Sequence, residues 1–387
     1  MAGMTQRIYL DWNATTPLRP EAKAAMAEAW ETSGNPSSVH AEGRQARRLM
    51  EQARVAVAAS VGAEAQNVIF TSGGTEANSL ALTPGLRRGK GRPAAERLLT
   101  SAIEHASVLS GGRFAPEAVG RVSVTRGGII DLDRLRGSLD GPPALVSIML
   151  ANNESGAIQP VAEAAKLVHE AGGLLHVDAI QALGKIPFDL ASTGADLLSL
   201  SAHKIGGPKG VGALVLAEGV ESLAPLLRGG GQEKGRRAGT EDVAGIAGFG
   251  AAARAALAGR ERDASRVEGL RTRLETGLRQ TPGVVVFAQE VTRLPNTVLF
   301  AIPGMRAETA VIGFDLAGIA VSSGSACSSG KVQPSHVVEA MGYGRELAQG
   351  AVRLSLGWST AEADIDFALQ AWRKLADTLL RGQRNTA

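Results

Sequence analysis

The stretch Leu145-Val-Ser-Ile-Met-Leu150 is apolar at nearly every position, which is typical of a β-strand covered on both faces. Similar short runs recur through the first two thirds of the chain, and stretches with the apolar spacing of amphipathic helices separate most of them. We predict strands at residues 68–71, 98–101, 121–125, 144–150, 174–177, 197–201 and 211–216, and helices that include residues 40–61, 75–82 and 161–171. The alternation predicts an α/β fold whose mainly parallel sheet is covered by helices.

The pattern changes in the last third of the chain. A proline-free helical stretch spans residues 243–278, although Gly259 and Gly269 could divide it into more than one helix. Predicted strands follow at residues 284–287, 297–302 and 352–356, with helices at residues 307–316 and 361–380. We therefore predict a large domain at residues 15–255, and a smaller α+β domain built from residues 1–14 and 256–387.

Composition narrows the class of protein. Hydrophobic residues make up 44% of the 387 residues and charged residues 20%, as in ordinary soluble globular proteins. The net charge is +3, acids and bases are interleaved, and aromatic residues make up 4%, so we expect no binding of nucleic acid. The sequence shows no apolar leader and no apolar run long enough for a membrane span, so we expect neither secretion nor membrane insertion. The single cysteine, Cys327, excludes a disulfide framework and a Cys-rich zinc site, and we predict a cytoplasmic location.

Ligands of open α/β sheets bind at the carboxyl ends of the strands, so the residues that follow each predicted strand are the candidates for a site. Ser72-Gly-Gly-Thr75 follows the strand at residues 68–71 and precedes a predicted helix. Glycines let the backbone approach an anion, and a helix N-terminus offers free N–H groups, so this stretch predicts a phosphate cradle. The alternative is an ordinary glycine-rich turn in which Thr75 caps the helix.

Asp178 ends the stretch Leu174-Leu-His-Val-Asp178, at the end of a strand that we expect to be buried. A buried carboxylate needs a cationic or hydrogen-bonding partner. His176 shares its strand face, so a metal pair is conceivable, but the other histidines show no ligand spacing. A protonated heterocycle is the better match for Asp178.

Lys204 follows the strand at residues 197–201 and enters a loop rich in glycine and proline. A lysine at this place is either a salt-bridge partner or an amine for Schiff-base chemistry. Pyridoxal phosphate requires a Schiff-base lysine, a carboxylate at its pyridine nitrogen and an anion cradle. Lys204, Asp178 and the residue 72–75 cradle together predict a pyridoxal-phosphate site.

Two further residues have chemistry to offer. His105, in Glu104-His105, could stack on a planar cofactor or relay a proton, or it could be a solvated histidine at a helix start. Cys327 lies in Ser322-Ser-Gly-Ser-Ala-Cys-Ser-Ser-Gly330, where small and hydroxylated residues offer little apolar cover. This setting favours an exposed, reactive thiol over an unreactive one.

These motifs resemble those of cysteine desulfurases of the NifS/IscS type, which belong to the class V aminotransferase family of pyridoxal-phosphate enzymes of fold type I. The resemblance runs through nearly the whole chain and includes Tyr9-Leu-Asp-Trp-Asn-Ala-Thr-Thr-Pro17, Gly34-Asn-Pro-Ser-Ser38, Thr71 to Asn78, Glu104-His105, Asn152-Asn-Glu-Ser-Gly156, Val177-Asp-Ala-Ile-Gln181, Ser201-Ala-His-Lys204, Gly229 to Thr240 and Arg353-Leu-Ser-Leu-Gly357. The Cys327 segment resembles the group with the longer, mobile cysteine loop. Trp12 departs from the family, which often has Asn there, whereas Asp11 and Asn13 are retained.

The resemblance implies how the cofactor is held. Lys204 would bind pyridoxal phosphate as a Schiff base, Asp178 would contact the pyridine nitrogen, and Gln181 the ring hydroxyl oxygen. His105 would stack on the ring and assist proton transfers. The residues implied for the phosphate are Gly74, Thr75, Ser201 and His203, and Thr240 would reach the phosphate of the partner subunit, which implies a homodimer. Asn153 would contact the cofactor and, together with the guanidinium fork of Arg353, the carboxylate of the substrate.

The implied reaction converts L-cysteine to L-alanine and transfers the sulfur to Cys327 as a persulfide, with Lys204 and His105 as the other catalytic residues. The sulfur would pass to an acceptor protein such as an iron–sulfur scaffold, with Cys327 a transient iron–sulfur ligand shared with that acceptor. A selenocysteine lyase would use the same residues. An aminotransferase or a kynureninase-like hydrolase would give Cys327 no role, and a non-enzymatic binding protein would not need to keep this chemistry.

Overall fold

Two β-sheets and the helices packed on them make up most of the fold. The computed structural model describes residues 7–324 and 333–384. In chain order, the strands are β1 Ile8–Tyr9, β2 Val68–Thr71, β3 Arg87–Arg88, β4 Arg97–Ser101, β5 Val119–Val122, β6 Ala144–Met149, β7 Leu174–Asp178, β8 Leu197–Ser201, β9 Gly212–Leu216, β10 Val220–Glu221, β11 Val285–Val286, β12 Thr297–Ala301, β13 Ile319–Ala320, β14 Ser322–Ser323 and β15 Val352–Ser355. The α-helices are α1 Pro20–Trp30, α2 Ala41–Ala59, α3 Gly74–Ala81, α4 Ala106–Leu109, α5 Leu132–Ser138, α6 Val161–Glu170, α7 Leu190–Thr193, α8 Val243–Leu278, α9 Ala307–Leu316, α10 His336–Ala340, α11 Arg345–Gly350 and α12 Glu362–Arg384.

The large sheet has seven strands in the order β2-β9-β8-β7-β6-β4-β5. The five strands from β8 to β5 are mutually parallel, whereas β9 is antiparallel to both of its neighbours. Because β2 and β8 both oppose β9, β2 runs in the same direction as β8. The carboxyl ends of every strand except β9 therefore meet at one edge, which confirms the predicted mainly parallel sheet.

The large sheet is buried on both faces because its central strands are apolar at consecutive positions. Neighbouring residues of β6, β7 and β8 alternate between two separate cores. Leu145, Leu174 and Leu197 pack into one core, and Val146, Leu175 and Leu198 pack into the other. Burying a side chain of this size contributes about 1.5–3 kcal/mol.

The second sheet is smaller and antiparallel, with the order β11-β12-β15-β14. Its core holds the fully buried Trp372 of α12, whose ring centroid lies 4.8 Å from that of Phe300 in β12. β1 pairs in parallel with β13, and Ile8 and Leu10 join this core. The boundaries predicted at residues 14/15 and 255/256 stay a prediction, and the second falls inside α8.

One sequence prediction about these elements is confirmed and another is wrong. The helical stretch predicted at residues 243–278 is α8, which continues through Gly259 and Gly269 without a break. Its N-terminal half packs against α1 and α2, and its C-terminal half contributes Val267 and Leu270 to the core of the small sheet. Packing on both sides of these glycines thus outweighs their helix penalty of about 1 kcal/mol each. The strand predicted at residues 121–125 lies earlier, at Val119–Val122, because its pairing with β4 sets its register.

No helix within the described residues is long and apolar enough to cross a membrane.

Candidate active site

A cavity of about 290 Å³ lies at the edge of the large sheet where the carboxyl ends of the strands meet. Loops that follow five strands of the sheet reach it, together with the N-terminal segment and β15 of the small sheet. Its lining residues are Asn13, Ala14, Gly74, Thr75, His105, Ser107, Met149, Ala151, Asn153, Asp178, Ile180, Gln181, Ser201, His203, Lys204 and Arg353. The structure thus brings together the predicted site residues apart from Thr240, which does not line the cavity, and Cys327, which lies outside the described residues.

The glycine-rich cradle forms one end of the cavity. Gly73 precedes α3 with φ of +151°, a conformation that favours glycine, and a Cβ on Gly74 would lie 2.3 Å from Cδ1 of Ile180. Gly73 therefore holds the N-cap position, and the alternative in which Thr75 caps the helix is wrong. The free N–H groups at the start of α3 thus face a position suited to an anion.

A second cavity of about 320 Å³ continues from the cradle end of the first. The two cavities share Ala14, Gly74, Thr75, Ser201 and His203, and the second adds the charged residues Glu76 and Lys209. Burial lowers the pKa of His203 to about 4, with Lys204, Lys209 and Lys185 acting in the same direction. His203 is therefore neutral at physiological pH and offers hydrogen bonds rather than charge.

Lys204 lies in a short 3₁₀ turn, Ala202–Lys204, directly after β8. Its Nζ donates to the backbone carbonyl oxygens of Asn13 at 2.6 Å and Ala14 at 2.8 Å. These contacts hold the amine at the cavity wall against the N-terminal segment.

Asp178 is the last residue of β7, and it is 5% exposed. Its Oδ2 accepts from Nδ2 of Asn78 at 2.8 Å, and its Oδ1 accepts from the N–H of Ile180 at 3.0 Å. Burial raises the pKa of Asp178, and the opposing causes are these two donors, His105 and Lys204. A cationic group bound in the cavity would therefore stabilise the ionised carboxylate further.

Sequence reasoning gave no role to Asn78 or Ser107, yet they connect Asp178 to His105. The amide nitrogen of Asn78 donates both to Asp178 and, at 2.9 Å, to Oγ of Ser107. Asn78 was part of the quoted cradle motif, but its partner Asp178 is 100 residues away, so spacing could not reveal the contact. Ser107 has a local signal, because a hydroxyl two residues after a histidine can reach its ring.

His105 is the N-cap of α4 and also lines the cavity, and its stacking on a cofactor and its relay of a proton stay predictions. The N–H of Ser107 donates to Nδ1 of His105 at 3.2 Å, and Oγ of Ser107 lies 2.8 Å from the same nitrogen. Because Nδ1 accepts a hydrogen bond, the neutral ring carries its hydrogen on Nε2.

His176 belongs to the core rather than to a metal pair with Asp178. Its ring nitrogens lie 2.8 Å from the hydroxyl oxygens of Ser147 and Ser199 on the two neighbouring strands. Burial lowers its pKa to about 3, so the ring is neutral and both nitrogens are satisfied. Within the described residues, no group of three or more His, Cys, Asp or Glu could hold a metal ion.

Arg353 reaches the opposite side of the cavity from β15 of the small sheet. Its side chain is 3% exposed, and it donates to Oδ1 of Asp11 at 2.8 Å and to the carbonyl oxygen of Asn153 at 3.0 Å. Its Nε is buried and has no hydrogen-bond partner within the part of the chain that the structure describes. A fixed guanidinium with donor capacity left is suited to a carboxylate ligand.

Thr240 is exposed and does not line the cavity, although Arg237 of the same loop donates to Glu76 beside the cradle at 3.0 Å. The loop that leads to it is held by Glu233, whose carboxylate receives two hydrogen bonds of 2.7 Å from the buried guanidinium of Arg54. The role of Thr240 toward a partner subunit stays a prediction.

Comparison with known proteins identifies the family. The sequence model of the Aminotransferase class-V family matches residues 8–367. A protein named cysteine desulfurase from Cereibacter sphaeroides is 46% identical over 381 residues, which cover 97% of each chain. The structure of a NifS-like protein from Rickettsia africae is 36% identical, with a TM-score of 0.87 over 96% of this chain and 100% of that chain. A structure described as SspA in complex with cysteine is 28% identical, with a TM-score of 0.75 over 92% of this chain and 100% of that chain.

The chain belongs to the class V aminotransferase family. The family predicted from the motifs is therefore confirmed, and so is the α/β fold with its large, mainly parallel sheet.

Proposed function

We propose that this protein is a cysteine desulfurase, which converts L-cysteine to L-alanine with pyridoxal phosphate as its cofactor. Its relatives support the activity, because the chain aligns over almost its whole length with a protein of that name. The observation that carries the proposal is the single cavity in which Lys204, Asp178 and the glycine cradle meet. These are the amine, the carboxylate and the anion site that pyridoxal phosphate requires.

The residues present fit this cofactor. Oγ of Ser201 is buried and has no hydrogen-bond partner among the described residues, although it lies at the cradle end of both cavities. A buried hydroxyl without a partner costs free energy, and a phosphate oxygen would satisfy it. Gly74, Thr75 and His203 would hold the same phosphate, and Asp178 would bind the protonated pyridine nitrogen.

The bound cofactor supplies an electron sink, so that an amino acid in the cavity can lose its Cα proton. Asp178 keeps the sink effective by holding a proton at the ring nitrogen. Arg353 and Asn153 orient the substrate through its carboxylate, because the guanidinium is already fixed by Asp11 and by the Asn153 carbonyl group. Lys204 supplies the amine that binds the cofactor and that a substrate amine displaces.

His105 lies at the cavity wall, where its ring can take part in proton transfer. Its neutral ring has a hydrogen on Nε2, so this atom can donate a hydrogen bond, and the ring can release a proton once it has gained a second one. For His105 to take up the proton of the Cys327 thiol, the ring hydrogen has to shift to Nδ1, where the hydroxyl oxygen of Ser107 can accept it.

Cys327 is the proposed sulfur acceptor. Its thiolate bonds to the substrate sulfur, the carbon–sulfur bond breaks, and the carbon takes up a proton, which leaves L-alanine and a persulfide on Cys327. The persulfide then passes to an acceptor protein such as an iron–sulfur scaffold, with Cys327 as a transient ligand. We also propose that the enzyme is a homodimer in which Thr240 completes the partner's phosphate site, and that it works in the cytoplasm.

The test is the release of sulfide and alanine from L-cysteine in the presence of a reductant, by the wild type, Cys327→Ser and Lys204→Ala. We expect Cys327→Ser to lose sulfide release but keep the visible absorption of bound cofactor. Lys204→Ala should lose both. Sulfide release by Cys327→Ser at the wild-type rate would contradict the role of Cys327. A wild type that releases selenium from selenocysteine but no sulfide from cysteine would instead favour a selenocysteine lyase.

A further inference from the structure

Lys185 is a half-buried lysine next to the candidate site, and the proposed reaction does not use it. Its Nζ donates to Oε1 of Gln181 at 2.6 Å and to Oδ1 of Asn13 at 2.9 Å. Both acceptors are neutral amide oxygens. Burial lowers the pKa of Lys185 well below its usual range, and the nearby cations Lys204 and Arg353 lower it further. Holding a lysine in this environment costs electrostatic free energy, which indicates that Lys185 has a function.

The contacts of Lys185 fix which way the amide of Gln181 faces. A lysine ammonium can only donate hydrogen bonds, so the atom of Gln181 that it contacts has to be the oxygen. The other end of the amide lies 2.9 Å from the backbone carbonyl oxygen of Asn13, which can only accept, so this end has to be the NH₂ group. Two independent partners thus select the same amide orientation.

This orientation matters because Gln181 lines the cavity. Its NH₂ group has two hydrogens, and the contact with Asn13 uses one of them. The same Asn13 carbonyl oxygen also accepts from Nζ of Lys204, so the amine and the amide are set side by side by one atom. The second hydrogen of Gln181 is then available to an oxygen of a molecule bound beside Lys204.

We propose that Lys185 is a positioning residue, which holds the amide of Gln181 so that its NH₂ group donates to the ring hydroxyl oxygen of the cofactor. The proposal rests on the assignment of the cavity to pyridoxal phosphate. A donor beside the ring oxygen favours its ionised form. The same donor also lowers the pKa of the linkage between Lys204 and the cofactor. Lys185 therefore lowers the pH at which the bound cofactor changes its protonation state.

Other charged groups act on the same surroundings. Lys204 and Arg353 repel a proton on Lys185, His203 feels the charge of Lys185, and Asp178 lies across the cavity. Arg19 and Asp263 line a smaller cavity on which Lys185 also borders. All of these groups are unchanged in a variant of Lys185 alone, so a comparison of variants isolates its contribution.

The test is a pH titration of the visible absorption of the pyridoxal-phosphate-loaded protein without substrate. We expect Lys185→Met to raise the pH midpoint by about one unit, a typical shift for loss of one charged partner. Lys185→Arg, which keeps the charge and the donors, should restore most of the shift. Lys166→Met, which removes an exposed lysine from α6, is the matched control and should leave the midpoint unchanged.

A second titration separates positioning from a direct effect of charge. If Lys185 acts through Gln181, the shift caused by Lys185→Met should fall by more than half in a Gln181→Ala background. A full shift in that background would overturn the positioning role. If Lys185→Met does not fold, Lys185→Gln serves instead, with a smaller rise expected because it keeps a donor. If a folded variant that binds the cofactor has the same pH midpoint as the wild type, the proposal is overturned but the proposed function is not. If the wild type shows no visible absorption band, the proposed cofactor site itself is overturned.

Discussion

The acid side of the active site, around Asp178, and the lysine side, around Lys185, take their hydrogen-bond partners from different parts of the chain. On the acid side, Asp178 receives hydrogen bonds from Asn78 of α3 and from Ile180, in the loop after β7. On the lysine side, Lys185 donates to oxygens of Gln181 and Asn13, and Asn13 comes from the N-terminal segment. The hydrogen-bond partners of both charged groups are neutral. The comparison teaches that Asp178 presents its carboxylate to the cavity directly, whereas Lys185, which does not line the cavity, acts on it through Gln181 and Asn13.

The largest effect is expected from neutralising the acid side. Asp178→Asn keeps the shape of the side chain but cannot stabilise a proton on the ring nitrogen. We expect the rate of sulfide release to fall by about two to three orders of magnitude, the range for loss of one preorganised electrostatic partner. The measurement is the initial rate at saturating L-cysteine and pyridoxal phosphate. Asp133→Asn, at an exposed position of α5, is the control, and a variant of Asp178 within threefold of it would contradict the assignment.

The second-largest effect tests whether the stability of the lysine side depends on Asn13 more than the stability of the acid side depends on Asn78. The side chain of Asn13 accepts from Lys185 and Asn296 and donates to Thr297, all at 2.8–3.0 Å. We expect Asn13→Ala to lower the free energy of unfolding by about 2–3 kcal/mol, because it leaves buried polar groups without partners. Urea denaturation of the apoprotein measures this change. Asn78→Ala, the counterpart on the acid side, removes two side-chain hydrogen bonds, whereas Asn13→Ala removes four, so it should cost less; the opposite order would refute the comparison.

The smallest effect is expected from Glu104, a buried carboxyl group near Asp178. Burial raises the pKa of Glu104 well above its usual range, and the N–H of Met149, at 2.8 Å from Oε1, opposes the rise. A carboxyl group with a raised folded-state pKa stabilises the fold fully below its unfolded pKa, and this contribution is lost as pH rises toward the folded value. Glu104→Gln should therefore match the wild type near pH 4 and be equally or more stable at neutral pH. Urea midpoints over that pH range measure the difference, and a variant that is clearly less stable at neutral pH would show that Glu104 is needed as a charged group.

The sequence predicted the position of the site because the signals there are local. Strand ends, glycines and the residues just after each strand are visible in a single stretch of chain, and the topology of a parallel sheet brings them to one edge. The roles of Asn78 and Asn13 were missed because their partners are distant in sequence, such as the 168 residues between Gln181 and Asn13. Lys185 did have a local signal, because its partner Gln181 is only four residues away. The course of helix α8 was also set by distant contacts, since packing on both sheets decides whether its glycines interrupt it. The chemistry of Cys327 and Thr240 and the domain boundaries stay predictions.

The position of Asn13 also affects the order in which the molecule can be completed during synthesis. Its backbone N–H donates to Oγ of Ser355, which is 342 residues later in the chain. At about 5–20 residues per second, a ribosome needs roughly 20–70 s to reach Ser355 after Asn13 has been made. The large sheet can form during that time, but the hydrogen bond between Asn13 and Ser355 cannot. This bond anchors the segment whose carbonyl oxygens, on Asn13 and Ala14, accept from Lys204. The lysine side of the active site is therefore among the last parts of the newly synthesised chain to reach its folded structure.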